Sequence, residues 1–321
     1  MVTLQLCAHI LFGMAHARQS PNYVLLLIIF VLGWFSSCYS LTVTRNRGKV
    51  FITCQSDSEE FNWTSLDLNN SITIHELIVW DCPISLVGVE TINLEQIDSM
   101  SLRNVHPSAS DLGRLIEGAP NLVHLDISQN GLNAIPEAVS ALGGLIEVNV
   151  SANDFTGAVT MKLPVSLRKI AANHMRLTEL TFTEHLRSLQ LLDVSYNDIS
   201  SLDFLSDASF PVYMNLLDVS FNQLASVNRE TVQSKRISFL HTAGNPLQCD
   251  PSLCWMLDSN LWVNDQKLHC FPPDGLSSRE MSGDMCDLTG ESRLGSGNNG
   301  RKSQIGLIIG KLPKTPSTIT P

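Results

Sequence analysis

The chain has 321 residues and a net charge of −10; 16% of it is charged and 44% hydrophobic. A charged fraction well below the usual quarter, beside an ordinary apolar fraction, disfavours a disordered or fibrous chain and suits one long domain or two. The acidic balance repels phosphate backbones and leaves no basic footprint for DNA or RNA, so no nucleic-acid partner is expected.

The charge is uneven: residues 1–40 carry +1 and residues 287–321 carry +3, so the middle holds −14. Residues 23–35 form a 13-residue apolar run, preceded by Arg18 and followed by Ser36-Ser37-Cys38-Tyr39-Ser40. A membrane span needs about 20 apolar residues and a secretory leader about 7 to 15. The expectation is a cleaved leader over residues 1–40, with Cys38 and Ser40 as the small side chains before the cut. Initiation at Met14 gives a more ordinary leader, and an uncleaved signal anchor is the alternative. No later run is long enough to span, Ile305-Gly-Leu-Ile-Ile-Gly310 being too short. The mature protein is therefore expected to be secreted, extracellular and not membrane-spanning. Losing Cys7 and Cys38 with the leader leaves an even six cysteines, as an oxidising compartment favours.

Residues 41–73 contain Thr42-Val43-Thr44 and Val50-Phe51-Ile52, short alternating strands expected to form an N-terminal cap over the edge of the segment that begins at residue 74. From 74 to 248 the pattern L-x-x-L-x-L-x-x-N-x-L recurs from Ile74, Ile97, Leu122, Leu145, Leu167, Leu189, Met214 and Ile237, at intervals of 22 to 25 residues. The clearest copies are Leu122-Val-His-Leu-Asp-Ile-Ser-Gln-Asn-Gly-Leu132, Leu189-Gln-Leu-Leu-Asp-Val-Ser-Tyr-Asn-Asp-Ile199 and Met214-Asn-Leu-Leu-Asp-Val-Ser-Phe-Asn-Gln-Leu224. This is the leucine-rich repeat period. Each copy has too few inward apolar residues to bury alone, so about eight copies must stack around one continuous core. Asparagines 130, 153, 197, 222 and 245 are expected to point inward and satisfy the backbone of the turn leaving each strand. Cys82, Val105 and Met175 stand where Asn is expected; the turns at Val105 and Met175 need another hydrogen-bond solution or a bulge. The fold class expected is an α/β leucine-rich repeat solenoid, with a curved parallel sheet on its concave side and an irregular or short-helical convex side.

With Asn245-Pro-Leu-Gln-Cys249, Cys254-Trp-Met-Leu, Cys270 and Cys286 after the repeats, residues 74–286 resemble the extracellular leucine-rich repeat proteins with cysteine-rich caps, the group that includes Slit domains and Toll-type ectodomains. The resemblance implies a C-terminal cap over residues 249–286 with disulfides Cys249 to Cys270 and Cys254 to Cys286. The family usually has one residue between the first two cysteines; here there are four. Trp255, Leu257, Leu261 and Trp262 are expected to supply the cap's apolar contacts, hiding an open end that would otherwise aggregate. Cys54 and Cys82 then remain, expected to be joined as a reduced N-terminal cap; the alternative is a free buried Cys82 thiol with Cys54 pairing between chains. Residues 287–321, Gly/Ser/Asn-rich and then Pro/Thr-rich, read as a disordered tail.

No constellation supports an enzyme. There is no H-E-x-x-H, no G-x-S-x-G and no cysteine with a neighbouring base, and Gly295-Ser-Gly-Asn-Asn-Gly300-Arg-Lys-Ser303 lacks the strand and helix a phosphate loop needs. No cofactor and no metal is expected. The third, fifth, seventh and eighth places of each repeat are expected to line the concave sheet. There Asp193, Asp218 and His241 form a row in which adjacent carboxylates raise each other's pKa or invite a cation; the plainer reading is that Asp is strand scaffold. Exposed Tyr196 and Phe221, with Leu191, Leu216 and Phe239 nearby, form a patch suited to protein binding. Glycosylation is expected at Asn62, Asn69 and Asn149. A glycan on Asn149 masks the middle of the face and leaves Asp193, Tyr196, Asp218, Phe221, Phe239 and His241 for a partner. The expected function is non-catalytic recognition of another extracellular protein or a glycan, in recognition, adhesion or defence; the alternative is a stabilising subunit of a secreted enzyme complex.

Overall fold

The computed structural model describes residues 25–27, 40–44, 48–53, 74–84, 88–89, 92–258, 262–263, 268–272, 277–281 and 286. Their main feature is a sheet of twelve strands. In chain order these are β1 Leu25–Leu27, β2 Ser40–Thr44, β3 Lys49–Thr53, β4 Glu76–Trp80, β5 Ser99–Arg103, β6 His124–Asp126 and β7 Glu147–Asn149, with β8 Gly157–Met161 outside it. Then come β9 Lys169–Ala171, β11 Leu191–Asp193, β12 Met214–Asp218, β13 Ile237–His241 and β14 Trp262–Val263, with β10 Leu177–Phe182 again outside. β2 lies antiparallel between β1 and β3. From β3 to β14 every neighbour is parallel, and the eight strands between those two come one from each repeat. The expected cut after Ser40 would remove β1 and the first residue of β2.

The eight repeat starts each precede a strand by zero to two residues, because the same places must face inward every time. In the repeat from Leu122, Leu122, Leu125 and Ile127 are at most 2% exposed. Each such side chain gains roughly 1.5 to 3 kcal/mol from burial, but only if the next coil covers it. The core is therefore one continuous cluster from Val50 to Met281.

Leaving each strand, the eighth place takes left-handed backbone: Asp81, Asn104, Gln129, Ala152, His174, Tyr196 and Phe221 have φ between 52° and 62°, and Gly244 has φ 70°. That turn swings the ninth place inward. The Asn222 amide donates to the carbonyls of Val219 in its own coil and Val194 in the preceding one, while its Oδ1 accepts from Ile199 N–H. Since every asparagine reaches one coil back, Val194 O also receives Asn197 and Val219 O also receives Asn245. This overlap is how the sequence tolerates Val105 and Met175. The carbonyls of Leu102 and Ala172 are still held by the asparagines of the following coils, Asn130 and Asn197.

The side opposite the sheet carries α1 Ala109–Glu117, capped by Ser108 accepting from Asp111 N–H, and α2 Arg229–Ser234, capped by Asn228. It also departs from the expected irregular or helical return. β8 and β10 form a separate parallel pair, in which the hydroxyls of Thr160 and Thr181 hydrogen bond at 2.8 Å. Alternating Thr, Val and Leu favour pleated backbone, and two successive 22-residue repeats bring those stretches into register.

At the C-terminal end, Cys249 bonds to Cys270 and Cys254 to Cys286. Of the apolar contacts expected there, those of Trp255 and Leu257 are present. Trp255 is buried and Leu257 partly so, and Leu253, Met256, Leu268 and Met281 join them in the core. Leu261 lies outside the described residues, and Trp262 extends the sheet as part of β14. At the other end Cys82 is fully buried and disulfide-bonded, so it is not a free thiol. Cys54, Asn62, Asn69 and residues 287–321 lie outside the described residues.

Candidate functional site

Strand register sorts the open face of the sheet into columns. The third places read Lys49, Glu76, Ser99, His124, Glu147 and Lys169 and then change to Leu191, Leu216 and Phe239. The first part is laced by charge: Lys49 Nζ donates to Glu76 at 2.6 Å, and Glu147 lies 3.6 Å from His124 and 3.5 Å from Lys169. The second part is apolar, with Phe239 45% exposed.

The fifth-place column runs Asp126, Asn149, Ala171, Asp193, Asp218 and His241. Each of Asp126, Asn149, Asp193 and Asp218 accepts, through Oδ1, the backbone N–H two residues on. Those donors are the seventh-place serines, and here the expected assignment is corrected. Ser128, Ser151, Ser195 and Ser220 are buried at 4 to 8% exposure and do not line the face, because the left-handed residue after each serine folds it against its own fifth-place side chain. Asp at this place therefore braces the turn, and Asp193 and Asp218 also accept the hydroxyls of Ser195 and Ser220.

Asp218 and His241 carry an additional interaction, Nδ1 donating to Oδ2 at 3.3 Å. Burial opposes ionisation of Asp218, yet hydrogen bonds from His241 and Ser220 outweigh it, and the carboxyl sits below its ordinary value. The expected mutual raising of neighbouring acids is not what governs Asp218. Among the described residues no group of three or more His, Cys, Asp or Glu side chains is arranged to hold a metal.

The eighth column holds a feature the linear pattern does not reveal. His174 stacks on Tyr196 with ring centroids 4.3 Å apart and planes 13° from parallel, and Tyr196 stacks on Phe221 at 4.3 Å and 10°. The far face of Phe221 lies on Gly244, where an added Cβ would come within 2.5 Å of the ring. Gly244 also lines a cavity of about 380 Å³ with Gln223, His269 and Phe271. The His174 ring is tied through Asn173 to Asp193, since Asn173 Oδ1 meets His174 Nδ1 at 3.0 Å and its Nδ2 donates to Asp193 at 2.7 Å. Tyr196 is 45% and Phe221 46% exposed. The expected single patch is thus two apolar columns, one at the strand starts and one past the strand ends, with Asp193, Asp218 and His241 between them.

Left-handed backbone costs a bulky residue roughly 1 to 2 kcal/mol, which Gly avoids and Asn or Asp largely escapes. Each stacked pair returns only about 0.5 to 1.5 kcal/mol. Tyr196 makes two such stacks, so stacking offsets its backbone strain.

No family model and no curated protein sequence matches the chain. Among solved structures it is similar to a leucine-rich repeat protein of Leptospira interrogans, at 20% identity and a TM-score of 0.47, over 65% of this chain and 54% of that one. The chain spans about half the length of that protein.

Proposed function

We propose that this is a secreted, extracellular, non-catalytic binding protein that recognises another protein through the open face of β11 to β13. The observation that supports the reading is the ring stack of His174, Tyr196 and Phe221, in which Tyr196 and Phe221 stay nearly half exposed. Exposed apolar side chains beside acids make a surface that gains from covering by a complementary one. The leader-like run and the even cysteine count support secretion.

Of the two ligand classes expected, the stack favours a polypeptide over a glycan. A sugar binds an aromatic ring through the ring face. Both faces of Tyr196 are covered, by His174 and Phe221, and both faces of Phe221 by Tyr196 and Gly244. What remains for a ligand is ring edges, the tyrosine hydroxyl and the aliphatic column.

The test is to cross-link the secreted protein in its native fluid, identify the partner by mass spectrometry, and measure its affinity for the Tyr196→Ala/Phe221→Ala variant. Anchors of this kind are worth at least about 2 kcal/mol together. Unchanged affinity in a variant that still folds removes the face assignment.

A further inference from the structure

The order of chemistry across β11 to β13 has a complement within the same chain. Across the strands the face reads aliphatic (Leu191, Leu216, Phe239), acidic (Asp193, Asp218, with His241) and aromatic edge (Tyr196, Phe221). Residues 301–314 read Arg-Lys-Ser-Gln-Ile-Gly-Leu-Ile-Ile-Gly-Lys-Leu-Pro-Lys, five aliphatic side chains bracketed by four cations with no acid among them. We propose that this segment docks on the open face of β11 to β13, its cations against Asp193 and Asp218 and its aliphatic run on the Leu191 column and the ring edges.

Three observations carry the proposal. The charges are opposite, −14 over residues 41–286 against +3 over residues 287–321. Asp218 stays ionised because its hydrogen bonds outweigh its burial. The segment also reaches: Cys286 is tied to Cys254 beside the last coil, and the 15 positions from there to Arg301 span up to about 50 Å, whereas β14 to β11 is three strand spacings, about 14 Å. A short tether gives a local concentration in the millimolar range, so a weak contact suffices to occupy the face. An outside partner then has to displace the segment, which makes recognition a competition within the molecule.

Zero-length carbodiimide cross-linking of the full chain, followed by peptide mapping, tests this without any partner, so its failure leaves the binding proposal standing. The expected result is that Lys302, Lys311 or Lys314 is joined to Asp193 or Asp218 in the monomer, at a yield independent of protein concentration. Those links should fall at least tenfold in Tyr196→Ala/Phe221→Ala, which keeps both carboxylates. Tail lysines joined without preference to carboxylates elsewhere, or joined to these two only in a dimer, overturn the proposal. The wild-type map decides even if the variant fails to fold.

Discussion

The ring of Tyr196 lies flat on that of Phe221, with centroids 4.3 Å apart, although 25 residues separate them and both occupy left-handed backbone. One strand spacing in a parallel sheet is about 4.8 Å, close to the contact distance of two rings, so equivalent places in neighbouring coils stack without further adjustment. The stack ends at Gly244 because a glycine there leaves room for the last ring.

Gly244→Ala is therefore expected to act on Phe221. The new methyl enters the space of the ring and meets a φ of +70°, so the ring must tilt away. The substitution should cost about 1 kcal/mol or more and should reduce the near-ultraviolet circular dichroism of the stacked rings. An unchanged aromatic signal shows that Phe221 does not rest on Gly244.

The overlapping asparagine reach predicts an inequality. Asn222→Ala strands Ile199 N–H alone, because Asn197 and Asn245 still serve the carbonyls of Val194 and Val219. Asn197→Ala strands the N–H groups of Met175 and Leu177 and also the carbonyl of Ala172, since Met175 supplies no donor of its own. At about 1 to 3 kcal/mol for each buried orphan group, Asn197→Ala should be the more destabilising in urea unfolding. Equal losses would mean that the overlap carries no energy.

Asp218 sets a pH dependence. Its folded carboxyl titrates below the unfolded value of about 3.9, so the stabilisation it contributes is complete above that value and disappears as pH falls through the lower folded one. The difference in melting temperature between wild type and Asp218→Asn should shrink as pH falls below about 4. A difference that persists undiminished at pH 2 assigns it to shape and not to charge.

Cys270→Ala opens the closure beyond β13. Losing a native disulfide from a secreted domain typically costs about 2 to 5 kcal/mol, and Cys270 is fully buried beside the last coil. Secretion and thermal stability should both fall; wild-type values for both would show that this bond does not hold the end of the sheet.

Asn149 should carry a glycan in material secreted from eukaryotic cells. Its Oδ1 is engaged by Ser151 N–H, and its partner in the next strand is the small Ala171. Glycopeptide mapping that finds Asn149 bare removes the masking of the middle of the face.

The repeat frame is legible in the linear chain. Period, strand positions and inward residues from Ile74 to Ile237 are legible because each coil repeats one local demand, and inward Leu, Ile, Val and Asn are the residues that meet it. Val105 and Met175 were legible only as exceptions. Why they are tolerated depends on donors one coil away, such as Asn130 and Asn197. What residues 22 to 25 apart do to one another across neighbouring coils is set by the stacking of those coils. It placed His174, Tyr196 and Phe221 face to face, paired β8 with β10, and set His241 against Asp218. It also buried the seventh-place serines, through the left-handed turn after each of them. A linear pattern records which side a residue faces; the distance to its neighbour in the next coil, and the backbone turn that aims it there, exist only once the coils are stacked.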